Sequence, residues 1–330
     1  MLASVLVPVL DEEDHVRAAV AGMRAQCLDG EFELIFLDGG SRDRTRAILE
    51  ELAGEDERIR VLDNPARRTP NALNIGLGSA RGEFVARMDA HSHYPPDYLA
   101  QAIERLRRGD VAHVSGPQLA QGQGRWSRRT AIALSSPLGT GGAAFRREGS
   151  EELEVDSGFT GVWRRSTLER HGGWDEGWPK NQDGELAARI KQEGGRLVCL
   201  PGMAARYVPR NSLRALARQY WHFGIYRAKT VKRHPGAIRR SQVLAPGLAV
   251  CVVAGLLPGR AGIAPRLGLS AYGLALGGAA LAAVRGHSPG DAASLPLVLA
   301  VMHLSWGFGF LVGCARFGTP VAALAGLVRH

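Results

Sequence analysis

Apolar runs closed by acidic residues recur through the first part of the chain. Ala3 to Leu10 is a Val-rich run that ends at Asp11-Glu12-Glu13-Asp14, and Phe32 to Leu37 is a second that ends at Asp38-Gly39-Gly40. Arg58 to Leu62 gives a third, and a fourth starts at Phe84 and stops at Asp89. Between them the apolar positions change to helical spacing, with Val16, Ala19, Val20 and Met23 on one face and a further helix over Asn71 to Ser79. Short apolar strands alternating with helices predict an α/β fold with a mostly parallel, doubly wound sheet.

Open sheets of this kind hold ligands beyond the carboxyl ends of their strands. Glu12, Asp38 and Asp89 each follow a separate strand, so one edge should carry all three. Converging carboxylates repel one another unless a cation or hydrogen-bond donors offset them. A metal ion, or a ribose and a base, would satisfy that edge. Asp89 and His91, separated by Ala90, are candidate ligands for a divalent ion, although an isolated D-x-H also describes a strand end entering a polar turn. A dinucleotide site is disfavoured, since no G-x-G-x-x-G follows the first strand.

Farther along, His113 to Pro117 reads as another strand and Gln118 to Gly142 as a long Gly-, Ser- and Arg-rich loop, on the acceptor side or merely on the surface. Asn181-Gln182-Asp183-Gly184-Glu185 opens a helix, where Asp183 alone would pass for an N-cap. From Asn211 to His234 cations alternate with Leu213, Leu216, Tyr220, Trp221 and Phe223, a pattern that suits a helix at a membrane surface. Three apolar stretches follow, Val243 to Leu257, Leu267 to Val284 and Leu295 to Ala315, rich in Gly and Ala. They are expected to cross a bilayer, which needs roughly 17 to 25 residues per helix. A buried soluble helical domain is the competing reading.

Charge changes the picture more than composition does. The net charge is +9, yet residues 1 to 193 hold 31 of the 32 acids and 25 of the 41 bases, a net of −6. The remainder carries 16 bases and the single acid Asp291. A basic, apolar second half points to an anionic membrane surface rather than nucleic acid. Arg239 and Arg240 would hold the preceding domain on the cytoplasmic side, and three spans would leave the C-terminus outside. Four scattered cysteines argue against a disulfide framework or zinc site, and the N-terminus lacks a recognisable signal peptide, so the chain is expected to begin in the cytoplasm.

Taken in order, Val5-Leu6-Val7-Pro8-Val9-Leu10-Asp11-Glu12-Glu13, Asp38-Gly39-Gly40-Ser41-Arg42-Asp43-Arg44-Thr45, Asn64-Pro65, Asn71-Ala72-Leu73-Asn74-Ile75-Gly76 and Asp89-Ala90-His91 resemble the motifs of family 2 glycosyltransferases. Asp89-Ala90-His91-Ser92-His93-Tyr94-Pro95 is most similar to the subgroup that assembles succinoglycan-like exopolysaccharides. The resemblance covers about residues 3 to 235 and implies a GT-A fold, so that with the patterns above the chain is expected to divide into a GT-A domain over residues 1–210, a basic interfacial segment over 211–240 and about three membrane helices over 241–330. It implies an inverting enzyme that moves one sugar from a nucleotide-sugar donor, a UDP-sugar by preference, to a lipid-linked, polyprenyl-diphosphate acceptor at the cell membrane.

The same resemblance places Pro8 and Glu12 against the nucleoside, with Glu12 near the ribose, and gives the base to Asp38. Asp89 and His91 would hold Mg2+ or Mn2+ against the donor diphosphate, with His91 standing where a second Asp is usual. Phe159-Thr160-Gly161-Val162-Trp163-Arg164-Arg165-Ser166 and Gly172-Gly173-Trp174-Asp175-Glu176 resemble the acceptor region, in which a strand reaches back to the site. Direct displacement needs a carboxylate to take the acceptor proton, and Asp183 is assigned that role with Glu185 as the alternative. Asp11, Gly39 and Gln182 depart from the usual spelling, Asp11 standing where Asn is usual, and Gly39 and Gln182 favour a rival, a non-catalytic nucleotide-sugar-binding scaffold subunit. Gln219-Tyr220-Trp221-His222-Phe223 departs from the Q-x-x-R-W of processive synthases. A nucleotidyltransferase would need a basic Gly-rich loop where Asp11 to Asp14 stand.

Overall fold

The computed structural model describes residues 1–139, 151–158 and 160–329. Phe159 and residues 140–142, parts of two stretches read above, lie outside the described residues.

The expected sheet is present, with eight strands among the described residues. β1 (Ala3–Val9), β2 (Phe32–Asp38), β3 (Ile59–Asp63) and β4 (Phe84–Arg87) run parallel in the order β3-β2-β1-β4. The sheet continues through strands that arise later in the chain. β5 (Ser92–His93) and β7 (Gln118–Ala120) belong to a separate three-stranded sheet with β11 (Ala205–Tyr207), whereas β6 (His113–Ser115), β8 (Leu153–Glu154), β9 (Gly161–Arg164) and β10 (Leu197–Cys199) extend the large one in the order β4-β9-β6-β10-β8. β9 is antiparallel to both β4 and β6, so the strand expected to reach back does so between them.

Helices α1 (Val16–Arg24), α2 (Thr45–Glu55), α3 (Thr69–Ser79) and α4 (Tyr98–Arg107) connect the strands. β2 is buried along its whole length, and β1 everywhere but at the half-buried Pro8. Strands covered on both faces have no polar face to present, which is why they read as unbroken apolar runs. Val5, Val7, Leu34, Phe36, Phe84 and Ala86 are fully buried with the apolar face of α1 in one core.

His113 is a costly member of that interior. It is 1% exposed and its ring stacks on Trp163 at 4.3 Å. Burial pushes its pKa down to about 3. The unfolded chain therefore takes up a proton below the ordinary value of about 6.5 that the folded chain refuses until about pH 3. Stability should fall as pH drops through that window, by at most about 1.4 kcal/mol per pH unit. Thermal unfolding of the wild type and of His113→Phe at pH 7 and pH 5 checks this, because the variant should lose less on acidification.

The stretch Gln118 to Gly142, expected as loop, contains a strand and a helix instead. α5 (Arg125–Ser135) buries Ser127, Thr130, Ala133 and Leu134, an inward stripe that mixes two polar residues with two apolar ones. α6 (Arg165–Arg170) and α7 (Gln182–Gln192) follow.

The chain divides into two compact units, Met1–Leu119 with Arg147–Tyr207, and Ala120–Arg146 with Val208–His330. The second is helical, with α8 (Leu213–Arg233), α9 (Leu244–Ala254), α10 (Ile263–Ala283), α11 (Pro289–Phe317) and α12 (Val321–Arg329) after α5. α8 is not a helix lying alone at a surface. It packs along α11, where a Cβ on Gly224 would sit 2.1 Å from the Trp306 carbonyl oxygen and one on Gly309 2.2 Å from that of Trp221. Only glycine permits so close a backbone approach.

The first of the three apolar stretches forms an eleven-residue helix, roughly 16 Å long at 1.5 Å per residue, too short for a hydrocarbon core of about 30 Å. Among the described residues two helices have the length and apolar character to cross a membrane, Gly259–Ala283 and Pro289–Phe317.

Candidate active site

The carboxyl ends of β1, β2 and β4 are adjacent because the strands pair in parallel, with Val9 opposite Asp38 and Leu6 opposite Arg87. The loops that follow β1 and β2 are laced together. Ser41 Oγ accepts from the Asp11 N–H at 3.0 Å, Asp11 Oδ1 accepts from the Arg42 N–H at 2.7 Å, and Asp43 and Glu13 exchange similar bonds with Glu13 N–H and Arg44 N–H. Asp11 takes the left-handed conformation at φ 55°, which Asn and Asp tolerate better than most residues. The residue that departs from the usual Asn thus meets the same backbone demand.

Within this frame Glu12 donates its N–H to Thr45 Oγ1 at 2.8 Å, and its side chain meets His91 Nδ1 at 3.0 Å. The two are therefore together, 79 residues apart in sequence. Asp38 is nearly buried. Its Oδ1 accepts from the Ser41 N–H at 3.1 Å and Ser41 Oγ at 2.6 Å, and Arg46 stands 3.8 Å from Oδ2. Pro8 lies in β1 opposite Leu37.

Asp89 sits two residues beyond the end of β4, and its N–H donates to the Tyr94 hydroxyl at 2.8 Å. Burial raises the Tyr94 hydroxyl well above its ordinary value, keeping it neutral. Asp89 Oδ1 faces the Arg87 guanidinium, 3.3 Å from Nε and 3.2 Å from Nη2, while Oδ2 makes no hydrogen bond to the described residues. Arg87 Nη1 in turn donates to both oxygens of Asp183, at 2.6 and 2.7 Å. One buried guanidinium therefore joins Asp89 at the end of β4 to Asp183 in the first turn of α7, 94 positions later.

Asp183 is not the helix cap. Asn181 holds that place at φ 61°, and Asp183 is the second helical residue. Burial pushes the Asp183 carboxyl upward, the charge and hydrogen bonds of Arg87 pull it down, and the net shift is upward. A raised carboxyl is a better proton acceptor near neutral pH than an ordinary Asp. Trp174 is among the groups that favour its ionised form. Asn74 holds Trp174 in place, taking the Trp174 N–H at 2.9 Å and giving its amide to the Trp174 carbonyl at 2.8 Å. Two of the family-like stretches are thus braced on each other.

Glu185, the alternative base, is fully buried and paired with Arg189 Nη2 at 2.7 Å. Arg189 also donates to the Gly173 carbonyl at 2.8 Å. That pair serves the joint between α7 and the Gly172-Gly173 turn.

Among the described residues no group of three or more His, Cys, Asp and Glu side chains is arranged to hold a metal ion. Arg87 is the residue that the sequence reading passed over. Its signal was present, since a cation inside the four-residue apolar strand Phe84–Arg87 has to find buried anions.

Residues 4–172 match the sequence model of the family described as glycosyl transferase family 2. The chain is 30% identical to the succinoglycan biosynthesis protein ExoA of Rhizobium meliloti over 93% of both chains. It is 29% identical to an undecaprenyl-phosphate 4-deoxy-4-formamido-L-arabinose transferase of Aeromonas hydrophila, over 40% of this chain and 41% of that one. Among solved structures, a mannosyltransferase of Pyrobaculum calidifontis in complex with GDP-Man and Mn2+ superposes with a TM-score of 0.56 at 19% identity, over 96% of this chain and 86% of that one. That likeness concerns the fold, and the fold is GT-A.

Proposed function

The chain belongs to glycosyl transferase family 2, and from that premise we propose that it transfers a single sugar from a nucleotide-sugar donor, a UDP-sugar by preference, to a lipid-linked acceptor in exopolysaccharide or cell-surface glycan assembly. The supporting observation is that Asp89, at the strand edge where donor phosphates bind in open sheets, and Asp183, a buried carboxylate with raised proton affinity, share one guanidinium. The full-length similarity to ExoA supports the polysaccharide setting, and the partial one to the undecaprenyl-phosphate transferase supports a lipid-linked acceptor.

Asp89 Oδ2 makes no hydrogen bond to the described residues, and with His91 two residues on it would supply the protein ligands of Mg2+ or Mn2+, the imidazole suiting Mn2+ better, with the diphosphate and water completing the shell. When bound, the cation supplies charge to offset the departing diphosphate. Glu12 and Asp38, with Pro8 beside them, would receive the ribose and base. Asp183 would take the proton of the acceptor hydroxyl as its oxygen bonds to the anomeric carbon and the carbon–diphosphate bond breaks. A single displacement of this kind inverts the anomeric centre. Gly259–Ala283 and Pro289–Phe317 would anchor the chain in the cell membrane, and two crossings, in place of the expected three, put both termini on the cytoplasmic side with Arg239 and Arg240.

Purified full-length protein, offered a panel of nucleotide sugars with Mn2+ or Mg2+ and a polyprenyl-linked acceptor, should release the nucleoside diphosphate from one of them. No release from any would refute the proposal. His91→Ala should raise the Mn2+ concentration for half-maximal activity about 10-fold or more if His91 is a ligand. An unchanged titration would remove His91 from the set of metal ligands.

A further inference from the structure

Arg87 has a function that neither the family motifs nor the relatives assign. Its side chain is 4% exposed, it ends β4, and every nitrogen of its guanidinium is directed at one of two carboxylates. Nε and Nη2 share Asp89 Oδ1, and Nη1 takes both oxygens of Asp183. β4 and α7 meet here with no covalent link shorter than the 96 residues between Arg87 and Asp183. Without a cation between them, two buried anions would repel and swing apart. With it, the planar fork fixes both their spacing and their orientation, which a flexible ammonium group does not do.

Resting on the assignment of Asp183 as base, we infer that Arg87 is the positioning residue of the transfer reaction: it holds the base of α7 in register with the donor-phosphate carboxylate of β4 and acts on turnover through Asp183. It touches neither donor nor acceptor in this role. Two of the four lone-pair directions of Asp183 are taken by Nη1, so the carboxylate keeps others for the acceptor hydroxyl.

The test is a double-mutant cycle on the full chain, read as nucleoside diphosphate release from the donor found in the panel and as binding of the free nucleoside diphosphate with Mn2+. Arg87→Gln should lower kcat about 100-fold or more in the wild-type background and less than about threefold in the Asp183→Asn background. Arg87→Lys, which keeps the charge but not the fork, should fall between. Because Arg87→Gln strands two buried carboxylates, the Arg87→Gln/Asp183→Asn protein serves as the better-folded comparison, and thermal unfolding accompanies each variant. Multiplicative losses in the double variant, or full rescue by Lys, would overturn the inference. An Asp183→Asn protein with normal turnover would instead remove the base assignment beneath it, and the two failures are distinguishable because the first is read on the double variant and Arg87→Lys and the second on Asp183→Asn alone.

Discussion

Replacing Asp183 by Asn is expected to reduce sugar transfer by a factor of about 10² to 10⁴, the range over which positioned bases contribute. Asn keeps the volume of Asp and one carbonyl oxygen for Arg87, so the site should persist while its proton acceptor is lost. Its amide nitrogen would face the Arg87 donors that now reach both Asp183 oxygens at 2.6 and 2.7 Å, so some loss of stability accompanies the change. Removing one partner of a buried pair costs about 3 to 5 kcal/mol in the extreme, and less here, since Asp89 still balances Arg87. Turnover and nucleoside diphosphate binding measured side by side separate chemistry from binding. A kcat that collapses while binding holds supports the base. Turnover within a few fold of wild type leaves Asp183 as a structural partner of Arg87, and tight donor binding with no turnover in either protein favours the scaffold reading.

Asp89→Ala is expected to abolish the response to Mg2+ and Mn2+ and to cut turnover about 1,000-fold, equivalent to about 4 kcal/mol of barrier. The substitution removes the open Oδ2 that a cation would use, yet leaves Arg87 paired with both oxygens of Asp183. Folding should therefore suffer less than catalysis. Thermal unfolding of the variant, set beside its activity across a Mn2+ titration, tests this, and activity that still rises with Mn2+ would place the cation elsewhere.

These expectations join residues whose legibility in the sequence differed. Asp89 was marked by the end of an apolar run, a local signal, as were Glu12 and Asp38. Asp183 stood in a helix start that had an ordinary capping explanation, and Asn181 proved to occupy that cap. Arg87 was visible only as an anomaly within an apolar strand. α5 was hidden for a different reason, because its buried face mixes Ser127 and Thr130 with Ala133 and Leu134 in a stretch rich in Gly, Ser and Arg. The interfacial reading of α8 saw its cations and aromatics but could not see that Gly224 would be matched by Gly309 from a helix far along the chain.

By itself the sequence determined the strand–helix alternation, the carboxylates that end the strands and the family, because each depends on short-range patterning or on the order of motifs. Only the tertiary structure decided which charges meet. Ion pairs in a buried site form between whatever the sheet and helices bring within about 4 Å, and the distance from Arg87 to Asp183 along the chain gives no hint of it. The same packing decided that Glu185 belongs to Arg189, that Glu12 meets His91, and that the first apolar stretch stops short of a membrane's width.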